Sequence, residues 1–475
     1  MAAATPSSRR RHVDLLRAVA IVMVVVGHWL LMDVVRTPAG LTGESALGYL
    51  SDVQWLTWIF QVMPVFFLVG GVSNAISWSK HRQRAVQAGD STGSVANWLL
   101  GRSGRVFTPL TLLLVLMAVS ALTARQIGVN DYDVAQAVSV VVLPLWFLVV
   151  YLAVVLLTPA MFRLHERFGL WVVLACVVGV AIGDVLRFST GIEYTAGANF
   201  AFAWLGVHQV GFSWFDGRLR LSSQRAGALA AGGLATALLL VGPGPYPVSM
   251  VSVPGAEIQN SGPPSLALVA LATAQIGLAV LVSGPAERWL ARSRRAWSAV
   301  IGVNAVIMTL YLWHMVAGFF GAVFLDAFGW LPVVSVRGYP PAEAWVGTWE
   351  RSPVPGTAEW WWGRIPWVGT LILVMAVVVF TVGWAERRGL TKKIRSGPTT
   401  SASPLAPNPP VDPSSTTGKW LSLAVIAAYV AAIGGMYWQA SAGRGPHGPF
   451  TTPTGALALV LGASVVLWAL RRRKS

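Results

Sequence analysis

The stretch VDLLRAVAIVMVVVGHWLL, residues 13–31, is almost continuous hydrocarbon apart from Asp14, Arg17 and His28. About 20 apolar residues in helical conformation cross the hydrocarbon core of a bilayer, so the stretch predicts a membrane-spanning helix. Arg9–Arg11 before it resemble the start of a signal peptide. Because no convincing small-x-small cleavage site follows, we expect a retained first helix.

The rest of the chain repeats this composition. Of its 475 residues, 55% are hydrophobic and only 11% are charged, whereas soluble domains carry about 25% charged residues. Within lipid, only helices and closed barrels satisfy every backbone hydrogen-bonding group, and barrel strands would appear as alternating segments of about ten residues. The long apolar runs therefore predict an all-α polytopic membrane protein.

Twelve apolar segments approach the length of a membrane span, and 197–215 and 455–470 are the weakest of them. They lie at 13–32, 55–78, 106–124, 136–161, 169–187, 197–215, 225–241, 264–283, 299–324, 366–384, 420–439 and 455–470. The Pro/Ser/Thr-rich stretch 396–418 is typical of a disordered cytosolic linker. We therefore predict a ten-helix domain over 1–395, a linker over 396–418 and a two-helix C-terminal membrane appendix over 419–475.

The distribution of positive charge predicts the orientation. With a cytosolic N-terminus, most of the 35 Lys and Arg residues fall in segments on the cytosolic side, as the positive-inside rule requires. Twelve spans then leave both termini cytosolic, in a multi-pass protein of the plasma membrane. This topology explains the net charge of +16, so no nucleic-acid partner is expected. The single cysteine, Cys176, excludes an intrachain disulfide, and no metal site is expected.

The first segment places its polar residues on one helical face. Arg17 and His28 are eleven residues apart, which is three turns plus about 20° and a rise of about 16 Å. Asp14 precedes Arg17 by three residues and can pair with it. An imidazole this deep in the membrane needs a polar cavity or a partner. Two plainer interpretations remain: His28 bonds a neighbouring helix, and Arg17 only obeys the positive-inside rule.

Five segments, in this order, resemble the signature of the membrane-bound acyltransferase 3 family. The first is the Arg-x10-His pattern of residues 17–28, and the others are MPVFFLVGG (63–71), GRSGRVFTP (101–109), PLWFLVVYL (144–152) and TLYLWHM (309–315). Gly70 stands where the family usually has Ser, and the Glu that often follows the Trp-x-Leu motif is missing. The resemblance covers residues 13–320 and leaves the last two helices outside it.

The resemblance implies an integral membrane O-acyltransferase. Its donor would be cytosolic acyl-CoA, with acetyl as the default group and no bound cofactor, and its acceptor a hydroxyl on an envelope lipid, a glycan or a small molecule. His28 would act as base or as acyl carrier, and the sequence leaves both open. Arg17, Arg102 and Arg105 would bind the phosphates of acyl-CoA, for which guanidinium groups are suited. An equal alternative for Arg102 and Arg105 is that they only follow the positive-inside rule and bind no ligand.

Other polar residues are expected to line the cavity: Asp14, Trp146, Asp184 and His314. Asp184 can orient an imidazole or, as the preferred interpretation, pair with Arg187. A transporter or flippase for an envelope precursor is the main rival function, since buried polar groups on many helices also describe those proteins. A sensor or scaffold is a third. The Ala/Gly/Val/Arg-rich composition is typical of a bacterium with a GC-rich genome.

Overall fold

The computed structural model describes residues 9–37, 40–87, 94–331, 333–336, 349–395, 416–442, 448 and 450–473. In these ranges the chain is mainly helical. The helices are α1 (Arg11–Leu31), α2 (Thr57–Phe60), α3 (Met63–Gln87), α4 (Val95–Gln126), α5 (Asp131–Val142), α6 (Leu145–Phe168), α7 (Trp171–Thr190), α8 (Asn199–Phe215), α9 (Ser223–Val241), α10 (Leu266–Arg292), α11 (Arg294–Ala305), α12 (Ile307–Ala327), α13 (Ala358–Arg395), α14 (Thr416–Ser441) and α15 (Thr454–Arg472).

Eleven helical segments of the described residues are long and apolar enough to cross a membrane. The prediction of an all-α polytopic membrane protein is therefore confirmed, and the count of twelve membrane-length spans is corrected. The difference is the predicted span 197–215, where α8 has only 17 residues. At 1.5 Å per residue it is about 25 Å long, short of the hydrocarbon thickness of about 30 Å.

Three predicted spans contain breaks. The segment 136–161 is divided between α5 and α6 just before Leu145, because Pro144 has no backbone N–H to continue the helical ladder. Segment 55–78 is divided between α2 and α3, and Pro64 follows at the second position of α3, where a missing N–H costs nothing. Segment 299–324 is divided between α11 and α12 at Val306.

The chain folds into two compact units. Unit 1 comprises Met1–Val24, Ser51–Leu99 and Val150–Ile307, and unit 2 comprises Val25–Leu50, Leu100–Val149 and Met308–Ser475. The boundary falls within α1. Unit 1 therefore receives the N-terminal part of this helix with Arg17, and unit 2 receives the C-terminal part with His28.

Unit 1 depends on close backbone contact between α3 and α8. A Cβ added at Gly71 would overlap the backbone of His208 and Gly211, and one added at Gly211 would overlap Leu68 and Gly71. Small residues of this kind allow helices to approach in the absence of a hydrophobic driving force within lipid. In this contact His208 of α8 lies 3.0 Å from Asn74 of α3, and the neighbouring Gln209 is also buried.

Unit 2 contains a four-stranded sheet that the sequence did not predict. Its strands are β1 (Met32–Thr37), β2 (Gly40–Ser45), β3 (Val333–Val336) and β4 (Trp349–Ser352), in the order β2-β1-β3-β4. β1 continues directly from α1 and pairs antiparallel with β2, from Met32 opposite Ser45 to Thr37 opposite Gly40. It pairs parallel with β3, which pairs antiparallel with β4.

The two C-terminal helices also belong to unit 2. Tyr429 of α14 contacts Phe107 of α4 edge-on, with ring centroids 5.4 Å apart. At the far end of α4, Arg125 donates a hydrogen bond of 3.0 Å to the Gly448 carbonyl. The division into domains at 1–395 and 419–475 stays a prediction. Most of the predicted linker 396–418 lies outside the described residues, and α14 already includes its last three positions.

Candidate active site

Two histidines meet in unit 2. His28 lies in the last turn of α1, and His314 lies near the middle of α12. Nδ1 of His28 is 2.9 Å from Nε2 of His314, and the ring planes are within 11° of each other, with centroids 5.0 Å apart. His314 is fully buried and His28 is half-buried. The partner that the sequence requires for His28 is therefore His314.

The neighbours of His314 determine the direction of this hydrogen bond. Nδ1 of His314 is 2.7 Å from the carbonyl oxygen of Tyr311, and a carbonyl can only accept. Since a neutral imidazole has one donor and one acceptor, Nε2 of His314 must accept and Nδ1 of His28 must donate. The remaining nitrogen, Nε2 of His28, then carries a lone pair. Among the described residues it has no hydrogen-bond partner.

Trp146 is linked to this pair indirectly, through Phe147 and Tyr311. The Phe147 ring meets the Tyr311 ring edge-on, with centroids 5.4 Å apart, and Trp146 meets Phe147 edge-on at 6.3 Å. The Tyr311 hydroxyl donates to the carbonyl of Pro144, which the break between α5 and α6 leaves accessible. Trp146 is thus two aromatic contacts away from Tyr311, whose carbonyl oxygen bonds His314.

Two tryptophans beside the pair were missed by sequence reasoning. The indole Nε1 of Trp29 donates to the carbonyl oxygen of His314 at 2.9 Å. Nε1 of Trp367, on α13, donates to the carbonyl oxygen of Trp29 at 2.8 Å. The position of Trp29 immediately after His28 was the available signal, whereas nothing in the sequence relates Trp367 to this site.

A buried ion pair lies at the same end of α1. Arg364 of α13 donates to Asp33 Oδ1 and to the Met32 carbonyl oxygen, both at 2.8 Å. Its guanidinium lies over the Trp360 ring, 4.1 Å from the centroid. Asp33 is fully buried, and a buried carboxylate needs such a partner. The pair fixes the start of α13 to the end of α1.

Arg17 is held in unit 1. Its Nη2 donates to Ser73 Oγ at 2.5 Å, and its Nη1 lies 3.5 Å from Asp14 Oδ1, so the predicted Asp14–Arg17 pair forms. Asp14 also accepts from Arg9 at 2.7 Å. Ser73 was missed by sequence reasoning. It lies on α3 one turn after Gly70, the position where the serine of the motif is absent.

Arg102 and Arg105 lie one turn apart on α4, in unit 2. Arg105 is exposed and Arg102 is partly buried. The guanidinium of Arg471, from α15, lies directly against Gly104 between them, where a Cβ would overlap it. The structure therefore places Arg102 and Arg105 with a third cation from the C-terminal helix pair.

Asp184 lies in unit 1 with different partners. It forms the predicted pair with Arg187 at 3.2 Å. It also accepts from Asn199 at 3.0 Å, from the Tyr246 hydroxyl at 2.8 Å and from the Leu266 backbone N–H at 2.7 Å. Burial, followed by the hydrogen bond to Asp184, raises the pKa of the Tyr246 phenol and keeps it a donor. No imidazole is among these partners.

The arrangement around His28 supplies a polarised imidazole with an available lone pair. Such a nitrogen can accept a proton from a hydroxyl or attack an electrophilic carbonyl. In the part of the chain that the structure describes, no group of three or more His, Cys, Asp or Glu side chains could hold a metal ion.

Comparison with known proteins agrees with this chemistry. A family model described as an acyltransferase domain matches residues 10–385. The match includes both histidines and the three arginines, and it ends before α14. No curated protein and no solved structure matched the chain. Since the matched residues are well over half of the 475, the chain belongs to the acyltransferase 3 family.

Proposed function

We propose that this membrane acyltransferase carries out O-acyl transfer from acyl-CoA. The acyl group, acetyl as the first candidate, would move to a hydroxyl on a lipid, a glycan or a small acceptor of the cell envelope, and the protein would reside in the plasma membrane. Family membership supports the reaction class. The observation that carries the rest is the hydrogen-bonded pair that leaves a lone pair on Nε2 of His28.

As a base, His28 would act in two steps, addition and elimination. Its Nε2 takes the proton of the acceptor hydroxyl while that oxygen forms a bond to the thioester carbonyl carbon. The carbon–sulfur bond then breaks, and the imidazolium returns the proton to the departing CoA sulfur. The His28 Nδ1–H bond to His314 favours the charged ring, because His314 presents an acceptor to it. As an acyl carrier, His28 would use the same lone pair.

The proposed contacts for the CoA phosphates are Arg17, Arg102 and Arg105. A guanidinium has five N–H donors, and Asp14 and Ser73 contact only some of those of Arg17. Arg105 is exposed on α4, as a group that receives a soluble donor must be. Bidentate binding of phosphate is the chemistry for which this side chain is suited.

The test uses the purified full-length protein in detergent with labelled acetyl-CoA. We expect His28→Gln to lower acyl transfer and CoA release by about 10²–10⁴-fold, the range for losing a general base, while CoA binding by calorimetry persists. The matched control is His81→Gln, a histidine of α3 in unit 1 whose Nε2 lies 3.0 Å from the Ser94 carbonyl oxygen.

The outcomes separate the candidate functions. Transfer that depends on His28 supports the proposal, and the His81 variant should then retain activity. Undiminished transfer in His28→Gln would show that the base lies elsewhere. Binding of a solute without any CoA turnover would instead favour the transporter.

A further inference from the structure

The two tryptophans beside the histidine pair form a continuous chain of hydrogen bonds within unit 2. Trp367 donates to the backbone of Trp29, Trp29 donates to the backbone of His314, and the His314 ring bonds His28. The chain returns to α1 at the residue next to Trp29. It therefore links α13, α1 and α12 at one level of the unit.

The end of α1 explains why Trp367 finds an acceptor there. The last four carbonyls of a helix have no partner within it, and Trp29 is in the last turn of α1, which ends at Leu31. A buried carbonyl without a hydrogen-bond donor costs folding free energy, so the indole N–H of Trp367 stabilises this helix end. Trp29 is 4% exposed and Trp367 is also 4% exposed, so water does not substitute for either bond.

The geometry of the His28–His314 bond depends on where α12 stands relative to α1. The Trp29 bond of 2.9 Å ends on the carbonyl oxygen of His314 itself. The bond thus joins the backbone of His314 to the side chain of Trp29, the residue that follows His28. A hydrogen bond weakens steeply with distance and misalignment, so a small displacement of either helix would weaken the bond that keeps the proton on Nδ1 of His28.

We propose that Trp29 and Trp367 are positioning residues for the reaction. They hold His314 where its Nε2 fixes the proton on Nδ1 of His28 and keeps the lone pair on Nε2 of His28. They do not touch the substrate. This inference rests on the proposed function, because it assigns the tryptophans a task in the same acyl transfer.

The experiment replaces each indole by a phenyl ring, which removes one N–H and keeps an aromatic side chain. We expect Trp29→Phe and Trp367→Phe each to lower kcat about 10-fold, the size typical of losing a group that orients a functional imidazole. The KM for acyl-CoA should stay unchanged. If Trp29→Phe yields no folded protein, Trp367→Phe carries the test alone, since it removes a bond to the same residue.

The matched control is Trp360→Phe on the same helix as Trp367. Trp360 is 1% exposed, and its Nε1 is buried with no hydrogen-bond partner among the described residues. The same change there should leave kcat as in the wild type. Rates are compared per mole of folded protein. The folded fraction is measured by size-exclusion chromatography and thermal unfolding.

A double-mutant cycle distinguishes positioning from plain structural support. In a His314→Phe background, Trp29→Phe should lower kcat no further, because the indole acts through the ring that is already gone. Additive losses, or Trp29 and Trp367 variants that behave like Trp360→Phe, would overturn the inference while a dependence on His28 leaves the proposed function intact. Full activity in His28→Gln would overturn both.

Discussion

Asp184 of unit 1 and His28 of unit 2 both lie on membrane-length helices, and they differ in how completely their side-chain hydrogen-bonding atoms are satisfied. Both oxygens of Asp184 are occupied, Oδ1 by Asn199 and Arg187, and Oδ2 by Tyr246 and the Leu266 N–H. Four groups from different segments thus converge on one carboxylate. The carboxylate joins these segments and has no oxygen left for a substrate.

In the histidine pair, the hydrogen bonds instead follow one another in a single direction. From the Tyr311 carbonyl to His314 and on to His28, each nitrogen has a defined role until Nε2 of His28 is reached. Its lone pair has no partner among the described residues. Under the proposed function, His28 rather than Asp184 is therefore the reactive group, because its ordered hydrogen bonds end on an unused lone pair.

The largest effect on activity is expected when the hydrogen bond between His314 and His28 is removed. His314→Phe keeps a ring of similar shape and removes both nitrogens, so the proton of His28 is no longer fixed. We expect kcat for acyl transfer to fall about 10³-fold, within the range for losing general acid–base catalysis. Steady-state kinetics with labelled acetyl-CoA measure it.

The control for this change is the adjacent buried residue. Trp313 has an indole Nε1 without a partner among the described residues, and Trp313→Phe should alter kcat little. Equal activity of the His314 variant and the wild type would show that His28 works without its neighbour.

A smaller effect, of another kind, is expected for Asp184 and its partners. Asp184→Asn removes the charge that pairs with Arg187, and the new amide nitrogen faces existing donors. We expect the free energy of unfolding to fall by about 3 kcal/mol, the cost of breaking a buried pair, with kcat per folded molecule unchanged. Denaturant unfolding in detergent measures this, and Asp52→Asn, at an exposed carboxylate, is the control. A selective loss of kcat would make Asp184 part of the site.

The smallest effect is expected from the hydrogen bond between Ser73 and Arg17. Ser73→Ala removes one hydrogen bond of 2.5 Å to the guanidinium. At about 1 kcal/mol per bond, the KM for acyl-CoA should rise about fivefold with kcat unchanged. Ser77→Ala, one turn further along α3, removes a bond to Trp98 instead and should leave KM unaltered. An unchanged KM in both variants would remove Ser73 from donor binding.

Much of the site could be predicted locally. The Arg17–His28 spacing follows from helical periodicity, and α1 runs unbroken through both residues. The Asp14–Arg17 and Asp184–Arg187 pairs are neighbours one turn apart, so sequence alone predicts them. Ser73 and Trp367 could not be predicted in the same way, because their bonds join separate helices and depend on how those helices pack.

The sequence by itself determined that this chain is a polytopic helical membrane protein, because lipid forces long apolar runs into helices whatever their neighbours. It also determined the family and the need for a partner to His28. Only the tertiary structure decided that the partner is His314, 286 positions away, and that the Tyr311 carbonyl orients both rings. Those outcomes depend on contacts between distant segments, which local periodicity does not encode.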